Sequence, residues 1–581
     1  MSLTRLGFRR PLPGTCVQGS HILPPRRWVG VSWRRTRLGR KKLSPQGTPG
    51  TSKSPLLAKA ARNGAPGLRS CVGGEIGDMN WKAKTICLFS VAFAVAACAQ
   101  QGEQPVRLHP ENPHYFLYRG KAVALVSSAE HYGAVINGEF DYHKYLAALS
   151  AAGMNYTRLF GGSYVEFPGK SFGIRRNDLA PEPGKFVAPW ARSSEPGYAG
   201  GGNKIDLSKW NPEYFSRLHD YLGEASRLGI IVEIGLFSSQ YGEMQWNLSP
   251  FKTENNVNGT DAIDYKKVNT LENGNILAYQ EKYVRKIVRE ANPYPNVMFE
   301  IANEPWSDRP VLTDVVNPYL FTGRDQYPNS IDLPDEAAMA WQSRVVEWIT
   351  SEEAGLPNQH MIAQDCCNFR YAMRDGMQRE RELLERVSVV NFHYAYPEAA
   401  SLNYGLGKAL SYDETGFLGQ SDDAYTRQAW NFMLAGGSVF DGLDYSFSVG
   451  HEDGSDVEPN GPGGGSAELR RRLKILNEFL LGLPLVEMHP DPDLVMHAGG
   501  VMTHALSSGH GEYAVYLDGN GPSEIALTLP GGRFERRWID VRTGAVEDRK
   551  EFEHKGGRIV IDSPPFRNGI ALRISRRESK Q

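Results

Sequence analysis

Eight short apolar runs, separated by longer amphipathic stretches, leave this chain few folds to choose from. The runs are AVALVSSAEH (122–131), NYTRLFGG (155–162), IIVEIGLFS (230–238), NVMFEIANE (296–304), HMIAQDCC (360–367), VSVVNFHYA (387–395), GKALSYDET (407–415) and GSVFDGLDYSF (437–447). Most are continuously apolar, which marks strands buried on both faces and hence a parallel sheet covered by helices. Helical periodicity fills the gaps, as in FDYHKYLAALSAAG, NPEYFSRLHDYLGEASRLG, ILAYQEKYVRKIVREA and DEAAMAWQSRVVEWITSEEAG. AYTRQAWNFMLAGG and AELRRRLKILNEFLLG continue the pattern. Eight strand–helix units predict an α/β fold, a (β/α)8 TIM barrel spanning residues 105–482.

After Gly482 the pattern changes to short alternating runs, GEYAVYLDG, EIALTLPGG, FERRWIDVRTG and GRIVIDSPP, separated by Gly, Pro and Asn. These predict a small antiparallel β-sandwich over 485–577.

The formal net charge of −1 hides an asymmetry. Residues 1–78 hold 15 Lys and Arg against two acids, Glu75 and Asp78, while the remainder carries −14. An acidic body lacks the basic footprint that nucleic acid requires, so no nucleic-acid partner is expected. From Met79 the sequence reads MNWKAKTICLFSVAFAVAACAQQ, a basic start, a short apolar stretch from Ile86 to Ala97 and then small residues. That is the pattern of a secretory signal peptide, and its apolar stretch is too short for a stable bilayer span. A leader is read from the chain start, so translation is expected to begin at Met79, with 1–78 a disordered upstream extension. Val95-Ala96-Ala97-Cys98 resembles a bacterial lipobox and predicts lipidation at Cys98. The mature chain would then be exported, to the periplasm, cell surface or medium, with membrane attachment only through a lipid anchor. Only Cys366 and Cys367 remain in the body; their adjacency fits neither a disulfide framework nor zinc-ligand spacing, and no metal or cofactor is expected.

Strand ends are where a barrel keeps its chemistry. Glu304 closes the fourth run in NVMFEIANEPW, and Met298, Glu300, Ala302 and Glu304 share a face by alternation. Glu414 occupies the equivalent end of the seventh run, across the barrel mouth. Two carboxylates facing one another suit glycosidic cleavage, one donating a proton to the leaving oxygen and the other attacking or stabilising the anomeric carbon. Arg158 follows strand two, His393 and Tyr394 strand six, and Glu130-His131 strand one. A cation and a phenol beside Glu414 would orient it as a charged nucleophile. The neighbouring Asp413 is expected on the opposite face. Insertions at 161–211 and 239–272 carry Trp190, Tyr198, Tyr241 and Trp246, and Trp306 follows Glu304; Trp306 and at least one insertion aromatic, Trp246 among them, are expected to line a sugar-binding cleft. The acid-bearing segment 450–466 lacks the EF-hand spacing and reads as a solvated loop.

The order NEP on strand four, H-Y on strand six and E-x-G on strand seven resembles glycoside hydrolase clan A, notably the family 5 cellulase-like enzymes. The resemblance covers roughly the barrel and implies Glu304 as acid/base, Glu414 as nucleophile, Asn303 as partner of the sugar 2-hydroxyl and Arg158 as support for the nucleophile. Where that family carries a strand-eight tryptophan, DYSFSVG offers Tyr445 and Phe447. The C-terminal region is similar to β domains that trail apiosidase-like barrels. The expectation is an exported retaining β-glycoside hydrolase acting on a carbohydrate. The competing expectation is a carbohydrate-binding surface lipoprotein that kept the barrel without turnover, against which the presence of both glutamates counts. No HExxH and no G-x-S-x-G motif supports a peptidase.

Overall fold

The computed structural model describes residues 103–129, 132–314, 330–367 and 384–577, all within one compact unit. The 1–78 extension, the 79–98 leader with Cys98, and His131 lie outside the described residues. Eight parallel strands make one sheet: β1 (Leu125–Val126), β2 (Tyr156–Phe160), β3 (Ile231–Gly235), β4 (Val297–Glu300), β5 (Ile362–Cys367), β6 (Val389–His393), β7 (Ala409–Glu414) and β8 (Val439–Phe440). Hydrogen bonds link them in the order β1-β8-β7-β6-β5-β4-β3-β2. At the seam between β1 and β2 a side chain makes the link. Asn155 donates from Nδ2 to the Ala124 carbonyl (2.9 Å) and accepts at Oδ1 from the Val126 N–H (2.9 Å).

Helices cover the outside as the periodicity predicts. They include α1 (Tyr142–Ala151), α2 (Pro212–Leu228), α3 (Ile276–Ala291), α4 (Glu336–Glu353), α5 (Glu398–Asn403), α6 (Asp422–Leu434) and α7 (Ala467–Leu481). Side-chain N-caps start several of them: Asp141, Asn211, Asp335 and Ser466 accept from backbone N–H groups of the first turn. Among the described residues no helix is long and apolar enough to cross a membrane.

The barrel interior is layered. Leu125, Tyr156, Ile231, Met298, Ala363, Val389, Ala409 and Val439, one from each strand, form a single buried apolar cluster. The antiparallel strands Arg107–Leu108, Phe116–Tyr118 and Lys121–Val123 close that end, since Val106, Phe116 and Tyr118 join the same cluster. Two residues further along each strand the inward positions are Ser127, Arg158, Glu233, Glu300, Asp365, Asn391, Ser411 and Asp441, all wholly buried. Every side chain in this second layer is polar. The apolar floor and the polar layer above it point the barrel's chemistry toward the C-terminal strand ends.

An antiparallel β region follows, as expected. Its strands are β9 (His489–Pro490), β10 (Val495–Ala498), β11 (Met502–Ser507), β12 (Glu512–Asp518), β13 (Glu524–Asp540), β14 (Val546–Asp562) and β15 (Ile570–Arg577). All seven are hydrogen-bonded into one sheet, because the long strand β13 pairs with β10 through its first half and with β15 through its second. Both halves bury side chains in one core, Ile525 and Leu527 from the first and Phe534 and Trp538 from the second. The region is fastened to helix α6: Asp518 accepts from Arg427 Nε (2.6 Å) and Asn431 Nδ2 (2.9 Å), and Trp430 stacks on Tyr516 at 5.6 Å.

The 450–466 segment is not a solvated loop. Glu452, Asp456 and Glu458 are buried, Asp456 pairs with Arg176, and Glu458 accepts from the backbone N–H groups of Arg175 (3.1 Å) and Arg176 (3.2 Å). Asp456 and Glu458 thereby anchor the first insertion.

Candidate active site

Strand β4 ends at Glu300, but parallel pairing resumes at Asn303, whose N–H donates to the Phe237 carbonyl (3.0 Å) and whose carbonyl accepts from Ser239 N–H (3.1 Å). Glu304 then turns the chain with φ +47°, a left-handed conformation that costs a non-glycine residue about 1–3 kcal/mol. Two contacts hold it there. Its N–H donates to Asp365 Oδ2 (2.8 Å), and its carbonyl accepts from Ser239 Oγ (2.7 Å).

The carboxyl of Glu304 is buried. Oε1 shares a hydrogen bond with His393 Nδ1 (3.1 Å), and Oε2 accepts from Ser307 Oγ (3.2 Å). Burial, with some help from the charge of Glu414, raises its pKa above the ordinary carboxylate value against the lowering pull of His393. Trp306 is 1% exposed and meets the His393 ring edge-on at 5.5 Å. It braces the imidazole from within the core and does not line an open cleft.

Glu414, at the end of β7, receives two phenols. Tyr132 donates to Oε2 (2.6 Å) and Tyr394 donates to Oε1. Arg158 Nη1 stands 3.5 Å and His393 Nδ1 3.6 Å from the same carboxylate. Arg158 is wholly buried and links both glutamates' surroundings: Nη1 donates to Tyr132 (2.5 Å), and Nη2 donates to Glu300 (2.8 Å) and Asn303 Oδ1 (2.9 Å). Asn303 in turn donates from Nδ2 to the Tyr241 hydroxyl (2.8 Å). An oxygen of Glu304 and one of Glu414 lie within 4.8 Å of each other, with His393 Nδ1 between them.

Asp413 corrects the simple alternation argument. It is wholly buried and faces inward, 3.2 Å from Arg158 Nη2 and 3.7 Å from His393 Nε2. The reason is an irregularity in the β6–β7 pairing, which steps from Asn391 opposite Ser411 to His393 opposite Glu414. The extra residue on β7 breaks the period of two, so both acids reach the interior.

Acids outnumber cations here, and burial disfavours the charged form of several of them. Burial pushes Glu300 and Asp441 well above the usual carboxylate range, raises Asp413, and brings Glu233 up to about 7. Burial works against a charged His393, yet Glu414, Asp365 and Asp413 outweigh it and hold the ring well above its usual pKa. Glu304, His393 and Glu414 could be grouped as metal ligands, as could Asp365, His393 and Asp413. Both groupings share the His393 imidazole.

Among the described residues seven non-glycine residues have a positive φ, and five lie on one path through this site. The path runs from Phe172 to Tyr241, through Asn303 to Glu304, across His393 to Tyr394, and out to Phe417. Backbone strain concentrated in this way is a feature of functional sites.

Of the residues expected at the site, Glu304, Glu414, Asn303, Arg158, His393 and Tyr394 are brought together. Trp246 is not with them. It is 2% exposed and belongs to the main core, as does Trp190, packed against Trp210, Phe251 and Tyr283. The insertions are long enough to need cores of their own, and these rings supply them. Tyr445 is half-buried in the loop after β8. Tyr241, one of the insertion aromatics named from the sequence, does reach the site through Asn303, whereas Tyr132 and Asp365 are contacts that the sequence argument passed over. Tyr132 follows the first apolar run directly and Asp365 sits near the end of the fifth, so the same strand-end signal marks both.

No protein-family model matches the sequence, and no curated protein matches it. Solved structures do match. A Bacteroides vulgatus protein provisionally described as a glycoside hydrolase is 16% identical, with 82% of this chain and 83% of that one covered at a TM-score of 0.54. A glycoside hydrolase family 5 structure from the same organism is 12% identical, with 81% and 93% covered at a TM-score of 0.52. The fold is thus shared with those structures over most of both chains.

Proposed function

We propose that this chain is an exported retaining β-glycoside hydrolase that cuts O-glycosidic bonds of a poly- or oligosaccharide. The observation that carries the reading is the glutamate pair at the barrel mouth, buried, with oxygens within 4.8 Å and in unlike surroundings. Retaining enzymes place the two carboxyl groups about 5–5.5 Å apart, whereas inverting ones need about 6.5–9.5 Å to admit a water between acid and sugar. The shared fold with a family 5 glycoside hydrolase structure agrees with it.

In this mechanism Glu414 Oε attacks the anomeric carbon while Glu304 gives its proton to the leaving oxygen, so that a glycosyl–Glu414 ester forms as the glycosidic bond breaks. Glu304, now a carboxylate, takes a proton from water, and the hydroxyl displaces Glu414 with a second inversion and net retention. Tyr132, Tyr394 and Arg158 aim the nucleophile. His393, braced by Trp306 and 3.1 Å from Asp365, aims the acid. Asn303, held by Arg158 and Tyr241, is the group placed for the sugar 2-hydroxyl.

Purified protein beginning after Cys98 should release aryl alcohol or reducing ends from at least one member of a panel of aryl β-glycosides and plant, algal and microbial polysaccharides. Silence across the panel would refute the catalytic reading. The leader pattern and VAAC motif support export; expressed from Met79, membrane-fraction protein should begin at an acylated Cys98 by intact mass, and an unlipidated terminus elsewhere would refute the anchor.

A further inference from the structure

Tyr394 stands in a conformation that its own chain does not favour. Its φ is +53°, and a bulky residue in the left-handed region is a genuine outlier. Such a backbone persists only where the surroundings over-determine it. On the near side the determinant is the β6–β7 ladder, because the Tyr394 N–H donates to the Glu414 carbonyl (3.1 Å). On the far side, two residues on, stands Tyr396, with no exposed surface. Its neighbours Ala395, Ala399 and Ala400 belong to the barrel's main core, but Tyr396 does not. Among the described residues, the apolar side chain packed against it is Met502, the first residue of β11 in the C-terminal β region.

The same segment meets that region twice more. Glu398, at the start of α5, lies 3.8 Å from His504 Nε2 on β11, and the Tyr404 hydroxyl donates to the carbonyl of Met488, just before β9 (3.4 Å). Strand β12 grips the next barrel unit through Asp518, which accepts from Arg427 and Asn431 of α6. Asn568, ahead of β15, donates to Asp423 in the first turn of the same helix (2.7 Å). Helix α6 follows β7 and Glu414. The β region therefore holds the segments that follow β6 and β7, the two strands whose ends bring Tyr394 and the nucleophile together.

We propose that the C-terminal β region braces the nucleophile side of the site, with Met502 acting through Tyr396 to hold the strained Tyr394 turn and so keep its phenol on Glu414. The inference rests on the glycosidase reading and adds to it a task for the β region. Met502 and Tyr396 are positioning residues, since the group that donates to the nucleophile is Tyr394. Without the brace the turn relaxes and the phenol moves, while Glu414 keeps its contact with Tyr132. Met502 is half-buried, so shortening it strips the contact without emptying a core.

The test uses protein beginning after Cys98, with Met502→Ala and Met502→Leu. In Met502→Ala, kcat on the responsive β-glycoside should fall about tenfold with KM nearly unchanged, short of the roughly 10²-fold that a 1 Å displacement of a catalytic group can cost. Met502→Leu, which refills the contact, should recover most of the loss. The discriminating background is Tyr394→Phe, where the phenol is already gone. There Met502→Ala should cost less than about twofold further, because both changes act on one contact. A general weakening of the fold would lower kcat by the same factor in both backgrounds. That outcome would overturn the proposal, as would an unchanged kcat in Met502→Ala. Hydrogen exchange read by mass spectrometry separates the brace from the glycosidase reading. Peptides covering 394–404 should exchange about tenfold faster in Met502→Ala than in wild type. Equal exchange sinks the brace whatever the kinetics show. Faster exchange in a protein that cuts no substrate keeps the brace and sinks the glycosidase.

Discussion

Glu414→Ala should lose turnover on every substrate, by on the order of 10⁴ or more, because no neighbouring group can form the covalent ester in its place. Asp413, the nearest alternative acid, is engaged with Arg158 and His393 in the layer below. Added azide should restore activity and yield the α-glycosyl azide, the small anion entering from the face that the carboxylate vacated. Glu304→Ala should behave differently. Activity survives best on substrates with good leaving groups, and azide gives the β-glycosyl azide after the ester has formed. The pH profile adds a sign. Glu304 acts as an acid only while protonated, and burial raises its pKa, so kcat/KM should fall as pH rises through that value. Glu304→Ala should lose this alkaline limb. An unchanged alkaline limb in Glu304→Ala, or azide products with the configurations exchanged, would reverse the two assignments.

Arg158→Ala should damage both stability and catalysis. The guanidinium is wholly buried, pairs with Glu300 and Asp413, and donates to Asn303 and Tyr132. Removing it strands several buried acceptors at once, on Glu300, Asn303 and Tyr132, and each buried polar group left unsatisfied costs about 1–3 kcal/mol. Misplacing Asn303 and the Tyr132–Glu414 contact should lower kcat by about 10²-fold even in protein that remains folded. Arg158→Lys should rescue little, since an ammonium cannot reproduce two parallel sets of donors at fixed geometry. Thermal unfolding and steady-state kinetics measured together check this. A variant with wild-type melting temperature and wild-type kcat would show that Arg158 does neither job.

Much of this arrangement can be read in the chain, for identifiable reasons. Strands buried on both faces are continuously apolar, so a polar residue at the end of such a run stands out; Glu304, Glu414, Arg158, His393 and Tyr394 were all found that way. The polar second layer was harder to see. Glu233 within IIVEIG and Asn391 within VVNFH read as single interruptions until eight strands are set in register and the interruptions fall at one height. Asp413 was misplaced because period-two reasoning assumes an unbroken ladder, and the β6–β7 pairing is not unbroken. The loop aromatics misled for another reason. Composition says that Trp190 and Trp246 are in insertions, but not that those insertions fold around them. Phe172 and Phe417 gave no sequence signal, since a left-handed φ at phenylalanine is visible only in the backbone.

The central claim is that Glu304 and Glu414 act by double displacement, and the anomeric configuration of the first-formed product tests it most directly. Proton NMR of wild-type enzyme with the responsive β-glycoside, recorded before mutarotation equilibrates the hemiacetal, should show the β-anomer appearing first and the α-anomer growing in only later. An α-anomer as the first product would mean single displacement by water, and would contradict the role given to Glu414.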